Sequence, residues 1–277
     1  MFQTLIDNAA LAAKAVADTQ HLPPDAEGLR AHAADFPATV APQLAAMAEA
    51  VGAFARTATE TTQALKPQID AWSAGQGQAR EAIVSGISHL VERLSGAMAS
   101  NQAAFATLAR YRDQVLVDQR LVAQISRDLA ARIAALLAQL DHARDEAETQ
   151  RKRLDILRMI PFPLPWIVAE IANLIKSGHT LEQELSQLQQ QQAELQGQAA
   201  ATAGGMNAVQ GFAGQLDILE NATQNLITFT STAQGNMMQM MQALTGGAGS
   251  TVPAVVAAYV ATLAAEAGSI QHYLSDG

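Results

Sequence analysis

Few side chains in this chain are placed for covalent or metal chemistry. It contains no cysteine, which removes disulfide frameworks, thiolate metal sites and a cysteine nucleophile. No Walker loop, no G-x-G-x-x-G after a strand and no H-E-x-x-H occurs. His142 and His179 could come within a turn or so of each other if their segments fold back, and such a pair could sense acid pH. Without a third ligand they read as surface residues. Gly204 and Gly205 lie inside a helical pattern and indicate close packing or a hinge rather than a phosphate cradle. Glu182 and Glu184 belong to a solvated face and imply no general acid or base. Met237, Met238, Met240 and Met241 read as core, with a plastic packing surface as the alternative. The sequence thus assigns no catalytic residue, no cofactor, no metal and no enzymatic activity.

The chemistry that remains is that of an apolar surface beside cations. Residues 159–175 read MIPFPLPWIVAEIANLI, in which only Glu170 and Asn173 carry polar side chains. Ten large apolar residues are gathered there: Met159, Ile160, Phe162, Leu164, Trp166, Ile167, Val168, Ile171, Leu174 and Ile175. Fully burying them is worth ~1.5–3 kcal/mol each, so ~15–30 kcal/mol as an upper bound depends on where they go. Five cations flank them, Arg151, Lys152, Arg153, Arg158 and Lys176, against Asp155 and Glu170. Cations beside an apolar segment suit an anionic lipid surface. The plainer reading is a salt-bridged solvated face, with Asp145, Glu146 and Glu148 one or two turns away.

Pro161, Pro163 and Pro165 forbid a continuous helix or a central strand, so P-F-P-L-P is expected to be an extended turn. Pro165 suits the first position of a new helix. That helix is too short to cross a bilayer, which takes about 20 apolar residues.

Long helical patterns lie on both sides. From 78 to 158 there is no proline, and Ile83, Ile87, Leu90, Leu94, Met98, Phe105, Leu108, Val115, Leu121, Ile125, Leu129, Ile133, Leu136 and Leu140 recur mostly at steps of three and four. An unbroken helix over this range would be ~120 Å long. Beyond the apolar segment, Leu181, Leu185, Leu188, Gln192, Leu195, Ala199, Thr202, Met206, Val209, Ala213 and Leu216 alternate steps of four and three. Ala222, Leu226, Phe229, Ala233, Met237, Met240 and Leu244 continue them. A short connection makes the two helices antiparallel. A fold-back centred on Phe162 sets Leu188 opposite Leu136 and Leu195 opposite Leu129.

Near the apolar segment both helices are polar outside one narrow seam, as a two-helix stalk requires. Farther away alanine, glycine and methionine cover more faces and call for more neighbours. Helices over 3–20, 37–74 and 253–275 supply them, with 25–35 as a weakly helical connector and Pro67 as a bend. Turns are expected at 74–77 and 246–250. The expected architecture is all-α: one elongated domain over 1–277, with a base of about five helices (1–115 and 207–277), a stalk (116–158 and 177–206) and an apolar head (159–176).

The net charge is −9, but its distribution is uneven. No Lys or Arg follows Lys176, so residues 1–176 carry a net of −2 and residues 177–277 a net of −7. This balance excludes a general nucleic-acid binder. The first twenty residues, MFQTLIDNAALAAKAVADTQ, lack the basic region and unbroken apolar core of a conventional secretion signal.

A multi-helix base, two very long antiparallel helices and the head MIPFPLPWIVAEIANLI between them resemble the α-helical pore-forming toxins of the cytolysin A and haemolytic enterotoxin group. The resemblance covers nearly the whole chain in architecture and has no residue motif. It implies a subunit that is secreted without a classical signal peptide, is first soluble and then membrane-associated, and oligomerises with itself or with partner subunits. The head is short for a two-pass hairpin and its prolines oppose a β-tongue, which points to one component of a multi-component pore contacting target-membrane lipid. The alternative is a structural coiled-coil scaffold whose head is an oligomerisation or docking site.

Overall fold

The computed structural model describes residues 1–19, 26–159, 165–246 and 251–275. Among these the chain is all-α: α1 (Phe2–Ala17), α2 (Glu27–Asp35), a π-helical turn (Phe36–Val40), α3 (Ala41–Ser73), α4 (Gln78–Arg158), α5 (Pro165–Gly246) and α6 (Val252–Ser275). The expected helices at 3–20, 37–74 and 253–275 correspond to α1, to α3 with its π turn, and to α6. The connector at 25–35 is α2, anchored by buried Leu29 and Ala33. Pro37 lies within the π turn and Pro42 at the second position of α3, so neither breaks the helical run. The π turn lets the Ala41 N–H donate to the Phe36 carbonyl, one residue farther back than in an α-helix. The helix also runs on through Pro67. The turn at 74–77 forms with Gly75 at a φ of +90°, a conformation that glycine adopts without a Cβ penalty. The predicted turn at 246–250 lies, beyond Gly246, outside the described residues.

The chain divides into two compact units. The first comprises Met1–Asp18, Leu29–Val117 and Ala208–Gly277, and the second Thr19–Gly28 and Asp118–Asn207.

In the first unit α3 packs along α6 and also meets α1 and the π turn. Phe36, fully buried, sits 5.6 Å from the ring of Tyr111 on α4 and 5.5 Å from that of Phe212 on α5. The Tyr111 hydroxyl donates to the His32 carbonyl at 2.6 Å, tying α4 to α2. Phe54 of α3 and Phe229 of α5 form a second aromatic pair, 6.0 Å apart. Side chains of α4 and α5 meet in antiparallel order: Arg80 with the Leu244 carbonyl, Asn101 with Thr230, and Arg112 with Glu220.

The α4 seam in this unit departs from the expected one. Met98 and Phe105 are half-buried, and Leu121, which belongs to the second unit, is 38% exposed. The buried positions run 83, 87, 90, 94, 97, 101, 104, 108, 111 and 115, so the seam passes through Ala97, Asn101 and Ala104. Position in the alternating four–three frame, not side-chain size, decides which residue faces inward.

In the second unit the end of α4 and the start of α5 lie antiparallel, with the Ser177 hydroxyl donating to Gln150 Oε1 at 3.0 Å. This contact and the Arg153–Glu170 pair bracket the fold-back expected about Phe162, and set Leu136 opposite about residues 187–191 of α5. Val122, Ile125, Leu129, Leu136, Leu140 and Ala143 are buried on α4. Leu185, Leu188, Gln192 and Leu195 are only half-buried on α5. Positions 125, 129 and 133 are separated by two successive steps of four, a stutter that shifts the seam by one residue and locally relaxes supercoiling.

Candidate functional site: an apolar helix start beside a cationic groove

Residues 160–164 lie outside the described residues, and with them Ile160, Phe162 and Leu164; nor is the side chain of Trp166 described. The remaining apolar residues of the segment divide by face. Ile167 is 3% exposed and Leu174 9%, a spacing of seven that puts both on one buried face of α5. Val168 and Ile175 also lie seven apart, one position on, and they are 53% and 40% exposed. Ala172 lies between them and is exposed as well. Positions 168, 172 and 175 are i, i+4 and i+7, so they form one outward stripe. Ile171 is half-buried between the two faces. Met159, at the end of α4, is 81% exposed and Ile156 is 65% exposed. The apolar residues of the segment thus divide into a buried face, Ile167 and Leu174, and an exposed face, of which Ile175 also borders the groove described below.

Ile156 is a surface residue that the sequence pattern does not single out by composition. A signal is present all the same: Leu154 and Leu157 keep the seam frame, and Ile156 falls outside it in an otherwise polar stretch.

The five flanking cations divide too. Lys152 Nζ lies 2.7 Å from Glu148, one turn back on the same helix. That contact and its charge hold the Glu148 carboxyl below the usual carboxylate range and raise the lysine. Arg153 reaches Glu170 at 3.0 Å, clipping the start of α5 to the end of α4. Arg151 lies 3.7 Å from Glu182. Among the described residues Arg158 and Lys176 make no ion pair. The salt-bridged reading therefore holds for Lys152 and Arg153, and loosely for Arg151.

A groove of about 620 Å³ opens on the same helix pair, lined by Arg144, Arg151, Leu154, Arg158, Leu174, Ile175, His179 and Glu182 among others. His179 Nδ1 is 3.8 Å from Glu182. His142 is exposed and does not line the groove, so the structure does not join the two histidines.

The other chemistry-bearing residues keep structural places. Gly204 and Gly205 sit within unbroken α5. Met237 and Met240 are fully buried, Met238 is 55% exposed, and Met241 is half-buried. No group of three or more His, Asp or Glu able to hold a metal occurs among the described residues. By length and composition two stretches could cross a membrane, Gly28–Ser73 and Val252–Ser275. Their helices α3 and α6 pack on each other in the first unit, as core helices of a bundle do.

No protein-family model and no curated sequence matches the chain. Solved structures do. It is similar to the soluble AhlC triple head mutant of the tripartite alpha-pore-forming toxin AHL from Aeromonas hydrophila, at 18% identity and a TM-score of 0.84, over 100% of this chain and 98% of that one. Soluble AhlC itself matches at 20% identity and a TM-score of 0.72, over 99% and 97%. The SmhB pore of the tripartite toxin Smh from Serratia marcescens matches at 10% identity and a TM-score of 0.59, over 100% and 98%. The resemblance expected from the sequence therefore holds for the fold: along its whole length this chain folds like subunits of tripartite alpha-pore-forming toxins.

Proposed function

We propose that the chain is one subunit of a multi-component α-helical pore-forming toxin, and that it makes contact with lipid through the start of α5. The observation that carries this is the outward stripe of Val168, Ala172 and Ile175 at the start of α5, together with exposed Met159 and Ile156 at the end of α4. Exposed apolar surface of this kind, rimmed by charge, suits an interface rather than water.

Length sets the depth. Residues 165–175 span ~16 Å as helix, about half of the ~30 Å hydrocarbon core. The segment enters one leaflet and stops. Arg151, Arg158 and Lys176 then stand near headgroup level. A complete pore needs further chains, and subunits of similar fold supply them, as the tripartite composition of AHL and Smh suggests. The chain is delivered to the membrane from water.

The absence of cysteine makes the test direct. An environment-sensitive dye on Val168→Cys should brighten and shift blue when vesicles are added, while the same dye on exposed Leu11→Cys should not. A dye on Val168→Cys that responds to protein concentration but not to lipid would favour the scaffold reading, with the stripe docking on another copy.

A further inference from the structure

The groove of the second unit has a composition that shallow insertion alone does not require. Arg144, Arg151 and Arg158 are spaced by seven, so they occupy one face of α4 with ~10 Å between successive residues. All three line the groove. Its floor is apolar: Leu154 from α4 and Leu174, Ile175 and Leu185 from α5. Lys152 and Arg153, interleaved in sequence, are engaged with Glu148 and Glu170 and do not line it.

The charges facing the groove are three arginines and Glu148 from α4, and His179 and Glu182 from α5. Glu148 is held by Lys152. Glu182 is the remaining counter-charge, and it is shared between Arg151 at 3.7 Å and His179 at 3.8 Å. Both pairs are long and exposed, the kind of ion pair that contributes little and yields to a better ligand. Arg144 lies 3.9 Å from Asp141 on its own helix. The groove thus presents guanidinium groups that are loosely held, over a hydrocarbon floor, next to the segment that enters the membrane.

We propose that this groove binds a single anionic phospholipid, with its phosphate between Arg151, Arg158 and His179 and an acyl chain along Leu154, Leu174 and Ile175. The site rests on the membrane reading above and adds a lipid class to it. Guanidinium forks match phosphate oxygens in pairs, which favours arginine over lysine for this task. Glu182 occupies Arg151 in water and is displaced by the phosphate. A free phosphate ion would satisfy the cations but leave the apolar floor wet, so the lipid is favoured over the bare anion.

The test uses the full-length chain and three soluble probes in calorimetric titration: dihexanoyl phosphatidic acid below its micelle concentration, glycerol 3-phosphate, and dihexanoylglycerol. The first should bind one-to-one and at least tenfold more tightly than either fragment. Arg151→Gln combined with Arg158→Gln should lower that affinity about tenfold, Glu182→Gln should raise it, and Arg132→Gln, an exposed α4 position outside the groove, should leave it unchanged. Equal affinity for phosphatidic acid and glycerol 3-phosphate would overturn lipid occupancy in favour of a plain anion site. An affinity indifferent to the arginine substitutions would overturn the site itself. Vesicle flotation separates the two levels. A chain that floats with vesicles but ignores phosphatidic acid refutes the groove and keeps the membrane reading, whereas a chain that floats with none refutes both.

Discussion

The Ser177 hydroxyl donates to the side-chain oxygen of Gln150 at 3.0 Å, and this contact joins the end of α4 to the start of α5 in the second unit. Both residues are half-buried and neither is a seam leucine. Gln150→Cys with Ser177→Cys should therefore give an intramolecular disulfide on mild oxidation, visible as a faster-migrating monomer on a non-reducing gel. Exclusively intermolecular products would show that α5 pairs with another chain.

Asn101 is the polar interruption of the α4 seam in the first unit. It is 1% exposed; its amide nitrogen donates to Thr230 Oγ1 at 3.0 Å, and its Oδ1 has no partner. Thr230 also donates to the Leu226 and Ile227 carbonyls, so it does not depend on Asn101. Asn101→Leu should stabilise the protein by about 1 kcal/mol in urea titration by removing the unmet acceptor. Asn101→Asp should destabilise it by about 3 kcal/mol, because it buries a charge.

Burial of Glu266 raises its carboxyl above the ordinary value, and the hydrogen bond from Asn236 at 3.2 Å only partly offsets this. The folded state then binds a proton more readily than the unfolded one just above pH 4.5, so this group lowers stability as pH rises through that window. Glu266→Gln keeps an acceptor for Asn236 and removes the charge. Its urea midpoint should exceed that of the parent at pH 7, and the two should converge below about pH 4. A constant difference across pH would mean that packing, not ionisation, separates them.

Phe36 joins the π turn to α4 and α5 through Tyr111 and Phe212. Phe36→Ala should cost about 3–5 kcal/mol in thermal or urea unfolding of the first unit. A cost under about 1 kcal/mol would show that the site collapses around the void.

The helical architecture was legible because the four–three pattern is long. On α5 every seam residue from Leu181 to Leu244 is buried or half-buried, including polar Gln192 and Thr202. On α4 side-chain size singles out Leu121 and Phe105, whereas the frame, carried through small and polar residues, singles out Val122 and Ala104. The site was less legible. Composition gathers apolar residues and cations in 151–176, but only the pairing of α4 with α5 separates Ile167 from Val168, or Arg153 from Arg158. Those distinctions depend on which acid each cation meets across the helix pair, as Arg153 meets Glu170, and no local pattern encodes that.

The central claim is that the outer stripe at the start of α5 holds the protein on a membrane, and flotation of the full-length chain with vesicles of mixed neutral and anionic phospholipid tests it most directly. Val168→Asp with Ile175→Asp changes two exposed positions, so helicity and thermal midpoint should match those of the parent. Ile167→Asp, one residue away but buried, should instead lower the midpoint by charge burial. The account predicts that the parent floats with the vesicles and that the Val168→Asp, Ile175→Asp protein stays at least tenfold more in solution while fully folded. A folded double variant that floats like the parent would contradict it.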